Sequence, residues 1–194
     1  MDSTNNTERV LSFHPLTPDR WADLEKLFGE RGACGGCWCM HWRLPRAEFS
    51  QQLGEANRRK LMEIVNRGEI PGILAYANDQ PVGWCALAPR RTYPLLSRSK
   101  ILAPPDEQPV WSVVCFFIAK PHRRQRVSTQ LLQSAVDYAR TRGAMIVEGY
   151  PIEPKKESYP DAFAFTGLAG AFRAAGFVEV LRRSPTRPIM RYTI

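Results

Sequence analysis

Two spacings of apolar residues divide this chain. Mostly apolar runs at Ile73–Ala77, Val82–Leu87, Trp111–Ala119 and Ala144–Gly149 have the length of strands, and the last two read as buried within a sheet. Stripes at three- and four-residue spacing mark helices instead. Trp21, Leu24, Leu27 and Phe28 make one, and Leu53, Leu61, Ile64 and Val65 make a second within Arg46–Arg67. Val127, Leu131, Leu132, Ala135, Val136 and Ala139 make the cleanest stripe, within Val127–Arg142.

The residues between these segments punctuate them. Thr17 reads as a helix cap with Pro18 at the first helical position, and Gly68, Gly143 and Gly176 read as helix ends. Asn78-Asp79-Gln80-Pro81 is turn chemistry and joins the first two apolar runs as an antiparallel hairpin. Val10–Phe13, Phe177–Leu181 and Pro188–Tyr192 read as shorter strands, and Leu168–Ala175 as a short helix. Gly29–Pro45, Pro89–Pro109 and Tyr150–Thr166 are irregular connections. A hairpin followed by a strand–helix–strand crossover predicts a mixed α/β chain, with parallel pairing at the crossover.

With 194 residues, 44% of them hydrophobic, the chain suits one compact domain over 10–194 after a frayed N-terminus over 1–9. No apolar run reaches the roughly 18–20 residues that cross a membrane. The polar N-terminus has no apolar signal region, and five cysteines, three of them crowded together, do not form a secreted disulfide framework. A reducing cytoplasm fits better. The net charge of +8 favours an anionic ligand or partner and says nothing of fold.

The most informative stretch is Val113–Gly143. An apolar strand leads into Lys120-Pro121-His122-Arg123-Arg124-Gln125-Arg126, and the amphipathic helix follows at once. The first turn of a helix has unpaired N–H groups and the positive end of the dipole, so strand, basic turn and helix start together suit a phosphate. The plain alternative is a solvated loop of surface arginines.

The segment Ile118–Leu132 resembles the acetyl-CoA motif of the GNAT superfamily of N-acetyltransferases, Arg/Gln-x-x-Gly-x-Gly/Ala between a strand and a helix. Arg123 matches the first position, while Arg126 and Ser128 stand where small residues are usual. Ala171-Phe172-Arg173-Ala174-Ala175-Gly176-Phe177 resembles the family's second signature, a short helix ending in Gly-Phe. The element order agrees over nearly the whole chain. The resemblance implies a mixed, mostly antiparallel central sheet with a parallel, splayed strand pair, flanked by helices. It also implies acetyl-CoA as co-substrate, with no metal. Arg123, Arg124, Gln125, Arg126, Val127, Ser128 and Thr129 would hold the pyrophosphate. A β-bulge near Phe117, Ile118 and Ala119 would let the pantetheine arm bond there like an added strand. A homodimer is a further implication.

Acetyl transfer to an amine needs a neutral amine, a polarised thioester carbonyl and a proton for the leaving thiolate. Many relatives use a tyrosine acid where this chain has Phe172. Glu148 as proton acceptor and Tyr150 as donor are the candidates, at the end of the strand that would open onto the substrate. Each has the alternative of an arginine pair or simple packing. The connection that follows the first helix lines the acceptor site in relatives, so Trp38, Met40 and Trp42 would supply its walls, with cation–π attraction for an amine. Core packing is the alternative. Cys34, Cys37, Cys39 and His41 invite a zinc reading, but their spacing closes a tetrahedron poorly and no second cysteine pair follows. A redox thiol pair is the other reading of the cluster.

The leading function is acetyl-CoA-dependent N-acetylation of a small-molecule or protein amine by direct attack. An acyl-CoA sensor without catalysis is the alternative, favoured by Arg126 and Phe172. A nucleic-acid module built on Arg123, Arg124, Arg126, Arg182, Arg183, Arg187 and Arg191 lacks any recognised motif and any stacking alternation of basic and aromatic residues.

Overall fold

The structure, a computed structural model, describes residues 10–154 and 164–194. The expected frayed segment 1–9, and 155–163 of the predicted Tyr150–Thr166 loop, lie outside them.

Among the described residues seven strands form one sheet: β1 (Leu11–Pro15), β2 (Gly72–Ala77), β3 (Gln80–Pro89), β4 (Trp111–Ile118), β5 (Ile146–Gly149), β6 (Val178–Arg182) and β7 (Pro188–Thr193). Their spatial order is β1-β2-β3-β4-β5-β7-β6. Every pairing is antiparallel except β4 with β5. The helices are α1 (Trp21–Phe28), α2 (Arg46–Gln51), α3 (Glu55–Asn66), α4 (Pro94–Arg98), α5 (Val127–Thr141) and α6 (Ala169–Ala174). The mixed sheet, its parallel pair and its flanking helices are those the resemblance implies.

The two faces of the sheet carry separate cores. On one, Ile73, Ala75, Cys85, Leu87 and Val113 meet the α5 stripe, whose six expected residues are all buried. On the other, Leu74, Trp84, Ala86 and Ala88 meet α1, α3 and the Trp38–Leu44 loop. Alternation along β4 assigns its residues to these faces, and it breaks once. Ala86 pairs with Cys115 and Leu87 with Val113, so Val114 is an extra residue. This β-bulge turns Val114 and Cys115 to the same face, and Phe116 returns to the α5 side. The expected bulge near Phe117–Ala119 is therefore displaced to Val114.

Three sequence expectations change in detail. The predicted helix Arg46–Arg67 is two helices, because the chain turns at Gly54, whose φ of 84° only glycine adopts freely. Leu53, expected to face partly inward, lies at that break and is exposed. Thr17 is extended and leads into a 3-10 turn at Pro18–Arg20, with its side chain accepting from Arg20 at 3.0 Å and not capping α1.

No described helix is long and apolar enough to cross a membrane.

Candidate active site

The parallel pair is short. β4 and β5 pair only from Trp111 with Val147 to Val113 with Gly149, after which β5 ends and β4 runs on to Ile118. This leaves a notch in mid-sheet. Ala119 N–H donates to the Val82 carbonyl at 2.9 Å, so the backbone groups of Ala119 and Phe117 face β3. Backbone groups alternate sides along a strand, and those of Phe116 and Ile118 therefore face the notch. Phe116 N–H donates there to the Phe165 carbonyl at 2.6 Å, and Arg123 Nε donates to the Ile118 carbonyl at 3.0 Å. Of Phe117, Ile118 and Ala119, only Ile118 presents its backbone along the notch, and Phe116 joins it.

The basic turn begins at the end of the same strand. Lys120–His122 make a 3-10 turn, Arg123 is extended, and Arg124 and Arg126 are both left-handed at φ 60°. Arg126 is the N-cap of α5, and its carbonyl accepts from Gln130 N–H at 3.1 Å. The N–H groups of Val127, Ser128 and Thr129 precede the first intrahelical bond. Among the described residues no side chain caps this end, and no acidic residue lies in its first turn. The dipole at this uncapped helix start therefore favours an anion. A side chain at φ 60° costs about 1–2 kcal/mol relative to glycine, so this turn holds strain that a glycine sequence would lack.

On the other side of the notch the end of β5 is fixed by charge. Glu148 is fully buried. Arg90 Nη1 donates to its Oε1 at 2.6 Å and Arg191 Nε to its Oε2 at 2.8 Å. The Tyr150 hydroxyl donates to Oε1 at 2.6 Å, lies 2.8 Å from Ser112 Oγ, and also contacts Arg90. Arg191 forks onto Asp106 at 2.6 and 2.9 Å, which holds that carboxyl below its ordinary range. Burial pushes the Tyr150 hydroxyl well above its ordinary value of 10. An open cleft of about 340 Å³ lies beside this cluster, lined by Arg90, Arg91, Asp106 and Gln108 among others, and is separate from the basic turn.

Phe172 on α6 is fully buried and meets Phe116 and Phe177 edge-on, with ring centroids 6.0 and 5.1 Å away. A Cβ on Gly149 would stand 2.1 Å from its ring, and one on Gly167 2.8 Å. The two glycines make room for the ring beside the last residue of β5.

Residues 38–151 match the model of the acetyltransferase (GNAT) family. The chain belongs to that family. Comparison with curated proteins gave no match. Similar solved structures include PaiA N-acetyltransferase from Thermoplasma acidophilum in complex with coenzyme A, at 12% identity and TM-score 0.53 over 95% of this chain and 99% of that one. A ribosomal-protein-alanine N-acetyltransferase from Brucella melitensis is similar at 16% identity and TM-score 0.55, over 94% and 99%. AAC(6')-Ib, in complex with paromomycin and acetyl-CoA, is similar at 13% and 0.52, over 94% and 93%. At such identities the likeness is one of fold. Acyl transfer is the general chemistry of the GNAT family.

The Cys34–Trp42 segment of this GNAT chain lies over β4 and is stitched to it. Trp42 Nε1 donates to the Val114 carbonyl at 3.2 Å. Cys39 Sγ donates to Cys115 Sγ at 3.3 Å and accepts from Trp84 Nε1 at 3.1 Å. The bulge at Val114 is what turns Cys115 toward Cys39. All five cysteines are free, hydrogen bonds with neighbouring thiols and then burial raise Cys37 and Cys39, and no metal-holding group occurs among the described residues. Trp38, Met40 and Trp42 are buried in the core. Trp38 stacks on Trp21, meets Phe28 and sits against Gly32, where a Cβ would strike its indole. The partly buried residue of this segment that faces the Phe165 ring is His41, which sequence reasoning left with the metal question. No periodicity marks which of these close-set aromatic and sulfur residues turns outward.

Proposed function

We propose that this chain transfers an acetyl group from acetyl-CoA to a primary amine of a small molecule or a protein, by direct attack of the amine on the thioester. The observation that carries the reading is the uncapped N-terminus of α5 at the end of β4, a strand that runs on past the last β5 partner, Gly149. In this reading Arg124–Thr129 hold the pyrophosphate, with Arg123 at the turn and its guanidinium on Ile118. The pantetheine arm follows the notch edge at Phe116 and Ile118, of which Ile118 belongs to the Phe117–Ala119 stretch expected to bind it. The thioester then reaches the end of β5.

The residues fit the cofactor in charge and in free N–H groups. Tyr150 stays protonated, so in the site it is a donor, and Glu148, with both oxygens on arginines, is what anchors that donor. Trp38, Met40 and Trp42 support the acceptor side as packed walls. Calorimetry with acetyl-CoA tests the cofactor, and thiol release over a panel of amines tests the transfer. No binding heat at millimolar acetyl-CoA would end the reading. Binding with no release above background would leave the second reading, an acyl-CoA sensor, which the buried, hydroxyl-free Phe172 favours.

The left-handed turn makes its own prediction. Arg126→Gly should hold or raise stability, by up to about 1 kcal/mol, because it releases strain at φ 60°. Acetyl-CoA affinity should change by less than about tenfold, equivalent to roughly 1.4 kcal/mol, since the backbone N–H groups that bind are unaltered. Thermal melts and calorimetry on the same preparation check both. A much larger gain in affinity would mean that the Arg126 side chain blocks the site.

A further inference from the structure

We propose that His41 is the base that takes the proton from the acceptor amine, an assignment that rests on the acetyltransferase reading of the notch. Its place follows from the stitching of its loop. Cys39 and Trp42, on either side of it, bond to Cys115 and to the Val114 carbonyl. The His41 ring stands edge-on to Trp42 at 4.8 Å, Phe49 at 5.2 Å and Phe165 at 5.8 Å. The carbonyl of that same Phe165 is bonded to Phe116 N–H on the notch. The imidazole is thereby packed among rings, one of which belongs to the residue bonded to the notch strand. No hydrogen bond to either of its nitrogens occurs among the described residues. A polar ring locked in orientation by packing, with its lone pair uncommitted, is suited to receive a proton.

Its charge state agrees. Burial among the rings, and then the positive charge of Arg46, hold His41 below its ordinary value of 6.5. It is therefore neutral at pH 7. Trp42, Phe49 and Phe165 carry no charge, and Arg46, at the start of α2, is the charged group that bears on it among the described residues. Glu148 is already engaged by two arginines and Tyr150 stays protonated, so neither competes for this role.

The step balances without any further reagent. An ammonium group gives one proton to His41 and becomes an amine. Its lone pair attacks the thioester carbonyl, the carbon–nitrogen bond forms and the carbon–sulfur bond breaks. The second amine proton ends on the departing thiolate, giving the thiol, and the imidazolium returns its proton to water.

The test compares two nucleophiles with acetyl-CoA, in the whole chain. 2-Phenylethylamine is protonated at neutral pH and needs a base, whereas hydroxylamine is already unprotonated and does not. His41→Gln should lower phenylethylamine turnover by about 10²–10⁴-fold. Hydroxylamine turnover should fall by less than about fivefold, since only the proton acceptor is lost. Wild-type kcat/KM should show an acid limb below pH 6.5 that is absent in His41→Gln. Arg46→Glu, which leaves the imidazole in place, should move that limb to higher pH. Equal losses with both nucleophiles, or a limb that Arg46→Glu does not move, would show a merely structural histidine. Unchanged phenylethylamine turnover in His41→Gln would overturn the assignment while leaving the transferase reading intact. Wild-type protein that releases thiol with neither nucleophile across the pH range would overturn the transferase reading, and with it the assignment of a base.

Discussion

Glu148→Ala is expected to cost about 3–5 kcal/mol of stability, enough to unfold much of the population at moderate temperature. The side chain itself is small, and the cost comes from what it leaves behind. Arg191 is nearly buried, Arg90 is buried to a similar degree, and both aim at the same carboxylate. Removing the carboxylate leaves two cations facing each other and the Tyr150 hydroxyl without its acceptor. Asp106 still pairs with Arg191 from the solvent side, so the loss falls mainly on Arg90. Glu148→Gln keeps the shape and two hydrogen-bonding atoms, and should lose less. Urea unfolding midpoints, at unchanged slope, measure the difference. A loss under about 1 kcal/mol for Glu148→Ala would mean that the pairs behave as solvated surface pairs.

Phe172→Ala should be nearly as damaging, at about 3–5 kcal/mol. The ring is fully buried, and Gly149 and Gly167 are shaped to receive it. Neither glycine can fill the space that alanine leaves, because neither has a side chain, and Phe116 and Phe177 lose an edge contact each. The cavity opens beside the end of β5, so acetyl transfer should fall together with the melting temperature. Phe172→Tyr is the informative companion. It keeps the packing but adds a hydroxyl to a buried ring, at a cost of about 1–3 kcal/mol where that hydroxyl finds no partner. A variant as stable as the parent would show that a partner exists there.

How much of this could be read in the sequence follows from the range of each interaction. The α5 stripe was legible in full, since all its information lies within one helix. So were the hairpin, the parallel crossover and the basic turn. The bulge at Val114 was expected three to five residues too late, because an extra residue shifts backbone phase without changing composition. The break at Gly54 left one signal, a glycine inside a helical pattern, that the surrounding helix formers outweighed. Glu148 was found, but its partners Arg90 and Arg191 lie 58 and 43 residues away, and nothing local joins them. The same holds for His41. Which member of an aromatic cluster is core and which faces outward is decided by the β4 surface beneath it.

The bond from Phe116 N–H to the Phe165 carbonyl bears on the timing of ligand entry. A chain that pairs along this edge must first displace that carbonyl, so association has two stages, release of the internal partner and then capture of the ligand. The measured dissociation constant is weakened by the fraction of molecules already released. In stopped-flow mixing, the observed rate should rise with acetyl-CoA and then level off at the rate of release, a ceiling set by the protein and independent of further ligand.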